Sequence, residues 1–77
     1  MIEEHASVVL TESLPAAGLE VGDVGVVVHV HPSGEVYEVE FMTLDGNTLT
    51  VETLTARQIR AARNRDIPHV RERIDAA

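Results

Sequence analysis

GLEVGDVGVVVHVH, residues 18–31, reads as a turn that feeds a long strand. Gly18, Gly22 and Asp23 are turn residues, and valines follow at positions 24, 26, 28 and 30. The period of two puts those four valines on one face and Gly25, Val27, His29 and His31 on the other. His31-Pro32-Ser33-Gly34 then turns the chain back. A turn, a valine-rich strand and a hairpin together predict the central ribbon of a small β-barrel.

Working outward, the apolar run from His5 to Thr11 predicts a first strand. Thr11 to Gly18 is a loop, with Pro15 and Gly18 as its turn residues, and Leu14 and Leu19 are expected to fold back over the core. Glu35 to Met42 alternates cleanly, with Tyr37, Val39 and Phe41 to one side and Glu38 and Glu40 to solvent. Asp45-Gly46-Asn47 is a hairpin signal. It leads to a strand over Thr48–Leu54, with Leu49 and Val51 expected in the core. Thr55 to Gln58 suits one helical turn before a fifth strand at Ile59–Ala61. The expected fold is therefore mainly β, a small five-stranded SH3-like barrel with a short C-terminal helix. An oligonucleotide-binding type of barrel is second, since it needs longer strands and an interposed helix.

At 77 residues the chain has room for one small core. That core must be mainly aliphatic, because the only aromatics are Tyr37 and Phe41. There is no cysteine, so neither a disulfide nor a thiolate metal site can reinforce it. The N-terminal residues are acidic where a signal peptide is basic, and no apolar run approaches a membrane span of ~18 residues. A cytoplasmic location is expected, with no membrane contact.

The net charge of −7 is unevenly placed. Residues 1–56 hold ten acids and no Arg or Lys, whereas all six arginines lie in the last 21 residues beside three acids. An acidic body argues against phosphate-backbone binding, and only the basic tail keeps that option open. The organisation expected is a barrel over residues 1–62 and a basic extension over 63–77. In that extension Asp66 is placed to N-cap a helix starting at Ile67, with Pro68 in its first turn. Ile67, Val70 and Ile74 recur at helical spacing as an apolar stripe. A helix this short needs something to dock on: the barrel, a second copy or a partner.

Several pieces carry a family resemblance: the Leu14-Pro15 and Gly18-Leu19 loop, Gly22-Asp23-Val24-Gly25, Tyr37-Glu38-Val39-Glu40-Phe41, and Leu54 through Arg60. With the RDIPHVRE tail they make nearly the whole chain resemble a small bacterial family, domain of unknown function 4926. The resemblance implies an SH3-like barrel, with members often encoded beside candidate toxin or nuclease genes. It implies no catalytic residues. Gly22-Asp23-x-Gly25 is also similar to an element of the SH3-like domains of ribosomal KOW proteins and of the nitrile hydratase beta subunit, over too short a span to carry function.

For catalysis, Ser7, Ser13 and Ser33 lack a nucleophile-elbow setting, and no Ser, His and Asp share a recognisable spacing. A barrel this small also leaves little room for a pocket of the usual ~300–1,000 Å³. No enzyme activity and no cofactor are expected. His29 and His31 project from one face of a strand within reach of one ion, near Glu38 or Glu40. Two histidines without a fixed third ligand specify no metal, so they are only metal candidates. Arg57, Arg60 and Arg63, followed by Arg65, make either a phosphate-binding patch or intramolecular pairs with the acidic body.

The leading expectation is a non-enzymatic protein-binding module, of antitoxin or immunity type, that inhibits a basic effector such as a nuclease. Glu38, Glu40 and Glu52 would steer the partner, and Ile67, Val70 and Ile74 would supply an apolar anchor. The same helix could pair two copies of the chain. The alternative is a nucleic-acid-associated, KOW-like accessory module using Arg57, Arg60, Arg63 and Arg65.

Overall fold

A computed structural model describes residues 2–72. Five strands form one antiparallel sheet: β1 (Ser7–Leu10), β2 (Val24–Val30), β3 (Val36–Met42), β4 (Thr48–Thr55) and β5 (Ile59–Ala61). Their order across the sheet is β4-β3-β2-β1-β5. Two 3₁₀ turns interrupt the loops, Pro15–Ala17 and Ala56–Gln58. No helix among the described residues is long and apolar enough to cross a membrane.

The sheet is curled but not closed. Flat strands would place β4 and β5 about 19 Å apart, yet the chain from Thr55 to Ile59 can reach at most about 14 Å. The sheet must bend to let so short a turn join its two edges. Thr55 and Gln58 form a capping box around that turn, the Thr55 amide donating to the Gln58 side chain at 2.9 Å. β4 and β5 form no ladder with each other, so the expected barrel is left open. β5 is only three residues long and pairs with β1.

The core contains Val8, Leu10, Leu19, Val27, Tyr37, Val39, Phe41, Leu54 and Ile59. Leu19 and Leu14 do fold back over it, each donating its amide to the other's carbonyl across the Pro15–Ala17 turn. Tyr37 buries its ring and donates its hydroxyl to the Gly34 carbonyl at 2.9 Å, which satisfies the one polar atom it brings inside.

A bulge on β2 and the β3–β4 register correct the predicted faces. On β2, Val27 lies opposite Val39 but His29 lies opposite Glu38, so Val28 is an extra residue. Gly25 and Val27 face the core before the bulge, and Val30 packs against it afterwards. The valines at 24, 26, 28 and 30 therefore do not share one face. On β4, Leu54 lies opposite buried Tyr37, and Thr50 and Glu52 lie opposite Phe41 and Val39. Directly opposed residues share a face, so the even positions of β4 turn inward. Leu49 and Val51 are outside the core, and Val51 is 50% exposed.

No C-terminal helix forms among the described residues. Residues 67–72 have no regular structure, and Ile67 and Val70 are 90% and 73% exposed. Pro68 disfavours the helical region at Ile67. Asp66 is committed upstream, accepting from the Arg63 amide at 2.6 Å and from both terminal nitrogens of Arg60. It caps a turn, not a helix. Ile74, the third residue of the expected stripe, lies outside the described residues.

Candidate interaction surface

The outer face of the sheet carries a polar ladder. Opposed pairs His29–Glu38 and Glu38–Thr53 set one row across β2, β3 and β4, and Val26–Glu40 and Glu40–Val51 set the next. His31 Nε2 lies 2.6 Å from a Glu38 oxygen, and the Thr53 hydroxyl donates to the other oxygen at 2.7 Å. These bonds, the one from His31 first, hold the Glu38 carboxyl below its ordinary 4.5. The Thr48 hydroxyl donates to Glu40. The His29 and His31 rings meet edge to face, with centroids 5.1 Å apart. Among the described residues, no group of three or more His, Asp or Glu is placed to hold a metal ion.

Glu52 is not part of that face. Its position opposite Val39 turns it to the inner side of the edge strand, where the Thr50 hydroxyl donates to it. The expected surface of Glu38, Glu40 and Glu52 is thus split across the two sides of the sheet.

The arginines are split as well. Arg60 forms a two-pronged pair with Asp66 at 2.9 and 3.1 Å, which depresses Asp66 to about 2. Arg57, Arg63 and Arg65 lie on the exposed turn and tail, and among the described residues their side chains form no ion pair. Arg71 belongs to no predicted patch. It reaches back 48 positions to Asp23.

A groove of about 770 Å³ opens where the start of β2, the end of β3 and the β3–β4 hairpin meet. Its apolar walls include Leu19, Val24, Val26, Phe41, Met42 and Leu49, and its charged lining is Asp23, Glu40 and Glu72 with Arg71, which pairs with Asp23. The small barrel was expected to leave little room for such a volume. The space lies outside the core, under the overhanging hairpin and the C-terminal segment. The Asp45 turn builds that overhang. Asp45 accepts from the Thr43 hydroxyl and from the Asn47 side chain, and Gly46 takes φ +88°. This turn lifts Leu44, 96% exposed, to the hairpin tip. Sequence reading missed Val24, Met42 and Leu44 as surface residues. Their only signal was an apolar residue in a turn or on the wrong parity of a strand.

No curated protein and no solved structure matches this chain. The model of one family, described as a domain of unknown function (DUF4926), matches residues 4–61, which span all five strands and the loops that shape the groove. The chain belongs to the DUF4926 family.

Proposed function

We propose that the chain is a non-enzymatic protein-binding module, an SH3-like barrel acting in the cytoplasm, whose partner is a basic protein. The observation that carries this reading is the apolar groove with its excess of acidic lining residues. Val24 is 55% exposed there, and Met42, Leu44 and Leu49 also reach solvent. Contiguous apolar side chains rimmed by polar groups are the anatomy of an interaction site. Three acids to one arginine line the groove, the outer β3 face carries Glu38 and Glu40, and residues 1–56 hold no Lys or Arg. Such a field attracts a basic surface and speeds encounter.

A basic nuclease or toxin has that complementary charge, so inhibition of antitoxin or immunity type is the specific form of the proposal. Glu38 and Glu40 steer, while the groove replaces the expected helix as the apolar anchor. The nucleic-acid alternative is weaker, because Arg60, one of its four arginines, already serves Asp66 and the body of the chain is acidic.

The test is affinity capture from source-cell lysate with and without nuclease treatment, using the wild-type chain and a Val24→Ser/Leu49→Ser variant. A basic protein retained stoichiometrically by the first and lost by the second is the expected result. Recovery only of RNA-bound proteins, vanishing with nuclease, would overturn it.

A further inference from the structure

Arg71 sits in a notch that the rest of the chain builds without it. Its Nε donates to one Asp23 oxygen at 3.0 Å, and one terminal nitrogen donates to the other at 2.5 Å. The same nitrogen donates to the Gly18 carbonyl at 3.1 Å, and the second terminal nitrogen lies 3.5 Å from Glu20. The acceptors are fixed locally. The Glu20 amide donates to the Asp23 carboxylate at 2.8 Å, and the Asp23 amide donates to the Glu20 carbonyl at 3.0 Å. Leu10 at the end of β1 donates to the Asp23 carbonyl and accepts from the Gly22 amide. Gly18 ends the 3₁₀ turn at φ 71°, a conformation that glycine adopts without strain.

The notch therefore presents a carboxylate, a carbonyl and a second carboxylate to one planar guanidinium. This arrangement suits arginine's fork better than the point charge of lysine. The notch also opens onto the apolar groove, since Asp23, Leu19 and Arg71 all line it.

The tail uses only half of this site. Arg71 fills the notch, but Val70 borders the groove while staying 73% exposed, Ile67 lies outside it, and Val24, Met42 and Leu44 remain exposed. The tail's hold rests on the Arg71 guanidinium, with little apolar burial added to it. A segment that supplies both the arginine and apolar side chains for the groove is the better occupant.

We propose that the Gly18–Glu20–Asp23 notch and its groove read an extended, arginine-containing segment flanked by apolar residues, and that the chain's own tail holds the site through Arg71 until a partner displaces it. This rests on the protein-binding reading and names the chemistry its partner must present.

The probe is a blocked synthetic peptide, Leu-Val-Arg-Leu-Leu, beside the same peptide with the neutral isostere citrulline in place of arginine. Binding is followed by amide chemical shifts of the full chain, wild type and Arg71→Ala. Removal of the competing guanidinium is expected to tighten binding of the arginine peptide at least tenfold, with shifts at Gly18 to Val24. The citrulline peptide is expected to lose at least tenfold on the variant. Asp23→Asn, which keeps an oxygen for the Glu20 amide, is expected to abolish the preference while amide dispersion shows an intact fold. Equal affinity for both peptides, or no gain on Arg71→Ala, would overturn the proposal. A wild-type dimer that Arg71→Ala converts to monomer would overturn occupation by the chain's own tail. The two readings fail separately. Lysate capture that depends on the groove but not on Asp23 leaves the module and removes the arginine notch. Peptide discrimination without a captured basic protein does the reverse.

Discussion

Gly25 lies against Val39 so closely that a Cβ on the glycine would fall 2.6 Å from Val39 Cγ1 and 2.9 Å from the Glu40 carbonyl oxygen. Neither neighbour can move freely, because Val39 is fully buried and the carbonyl belongs to the β3 backbone. Gly25→Ala is expected to destabilise the fold by about 1–3 kcal/mol through overpacking. Gly46 has open space around it but takes φ +88°, so Gly46→Ala is expected to cost about 1–2 kcal/mol through backbone strain instead. Urea unfolding checks both. The midpoint should fall in each variant with the slope unchanged.

How far the sequence could be read turns on these close contacts. Tyr37, Val39 and Phe41 alternate with Glu38 and Glu40, and the structure places all five as that alternation predicts. The alternation holds because β3 has a sheet neighbour on each side and one buried face. On β2 the same logic failed at Val28. Four valines at a period of two look like one stripe, and a bulge leaves no mark on such a pattern. On β4, Leu49 and Val51 compete with Leu54 for the inner face. The register against β3 decides between them, and register is a tertiary property. Arg71 could not be linked to Asp23 at all, since nothing local relates positions 48 apart. The helix starting at Ile67 is predicted from the Asp66 cap and the apolar spacing, although Pro68 argues against a helical Ile67.

Glu38 is held below its ordinary value by the His31 hydrogen bond and then by Thr53. A carboxyl depressed in the folded state adds stability above its unfolded value, and that stability is lost as pH falls through the folded value. The loss therefore falls below about pH 4.5. His31→Ala is expected to move the Glu38 titration midpoint upward toward 4.5. Carboxyl carbon shifts measured against pH in both proteins check this, and an unmoved midpoint would remove His31 as the principal cause.

Asp66 is pulled to about 2 by Arg60 first and by the Arg63 amide next. The sign is the same as for Glu38. The contribution is complete above the unfolded value of about 3.8 and fades as pH falls through about 2. Asp66→Asn is expected to loosen the 63–66 turn without touching the sheet, because Asp66 is exposed and the contacts it makes are to Arg60 and Arg63. Hydrogen exchange should quicken at Arg63 and remain slow at Val27 and Val39. Faster exchange at the two core valines would show that the turn supports the sheet.

Leu54 and Leu49 lie on one strand but do opposite jobs. Leu54 is 2% exposed and packs in the core opposite Tyr37, whereas Leu49 stands in the wall of the groove. Leu54→Ala should cost about 2–5 kcal/mol, because the cavity it leaves adds to the lost burial. Leu49→Ala removes a partly exposed side chain and should cost well under that, about 1 kcal/mol or less. Partner binding should respond in the reverse order. Leu49→Ala should weaken capture of a basic protein while the melting temperature stays close to wild type. Leu54→Ala should lower the melting temperature and leave affinity intact at temperatures where the variant remains folded. If Leu49→Ala proved as destabilising as Leu54→Ala, the odd positions of β4 would belong to the core and the groove would lose that wall.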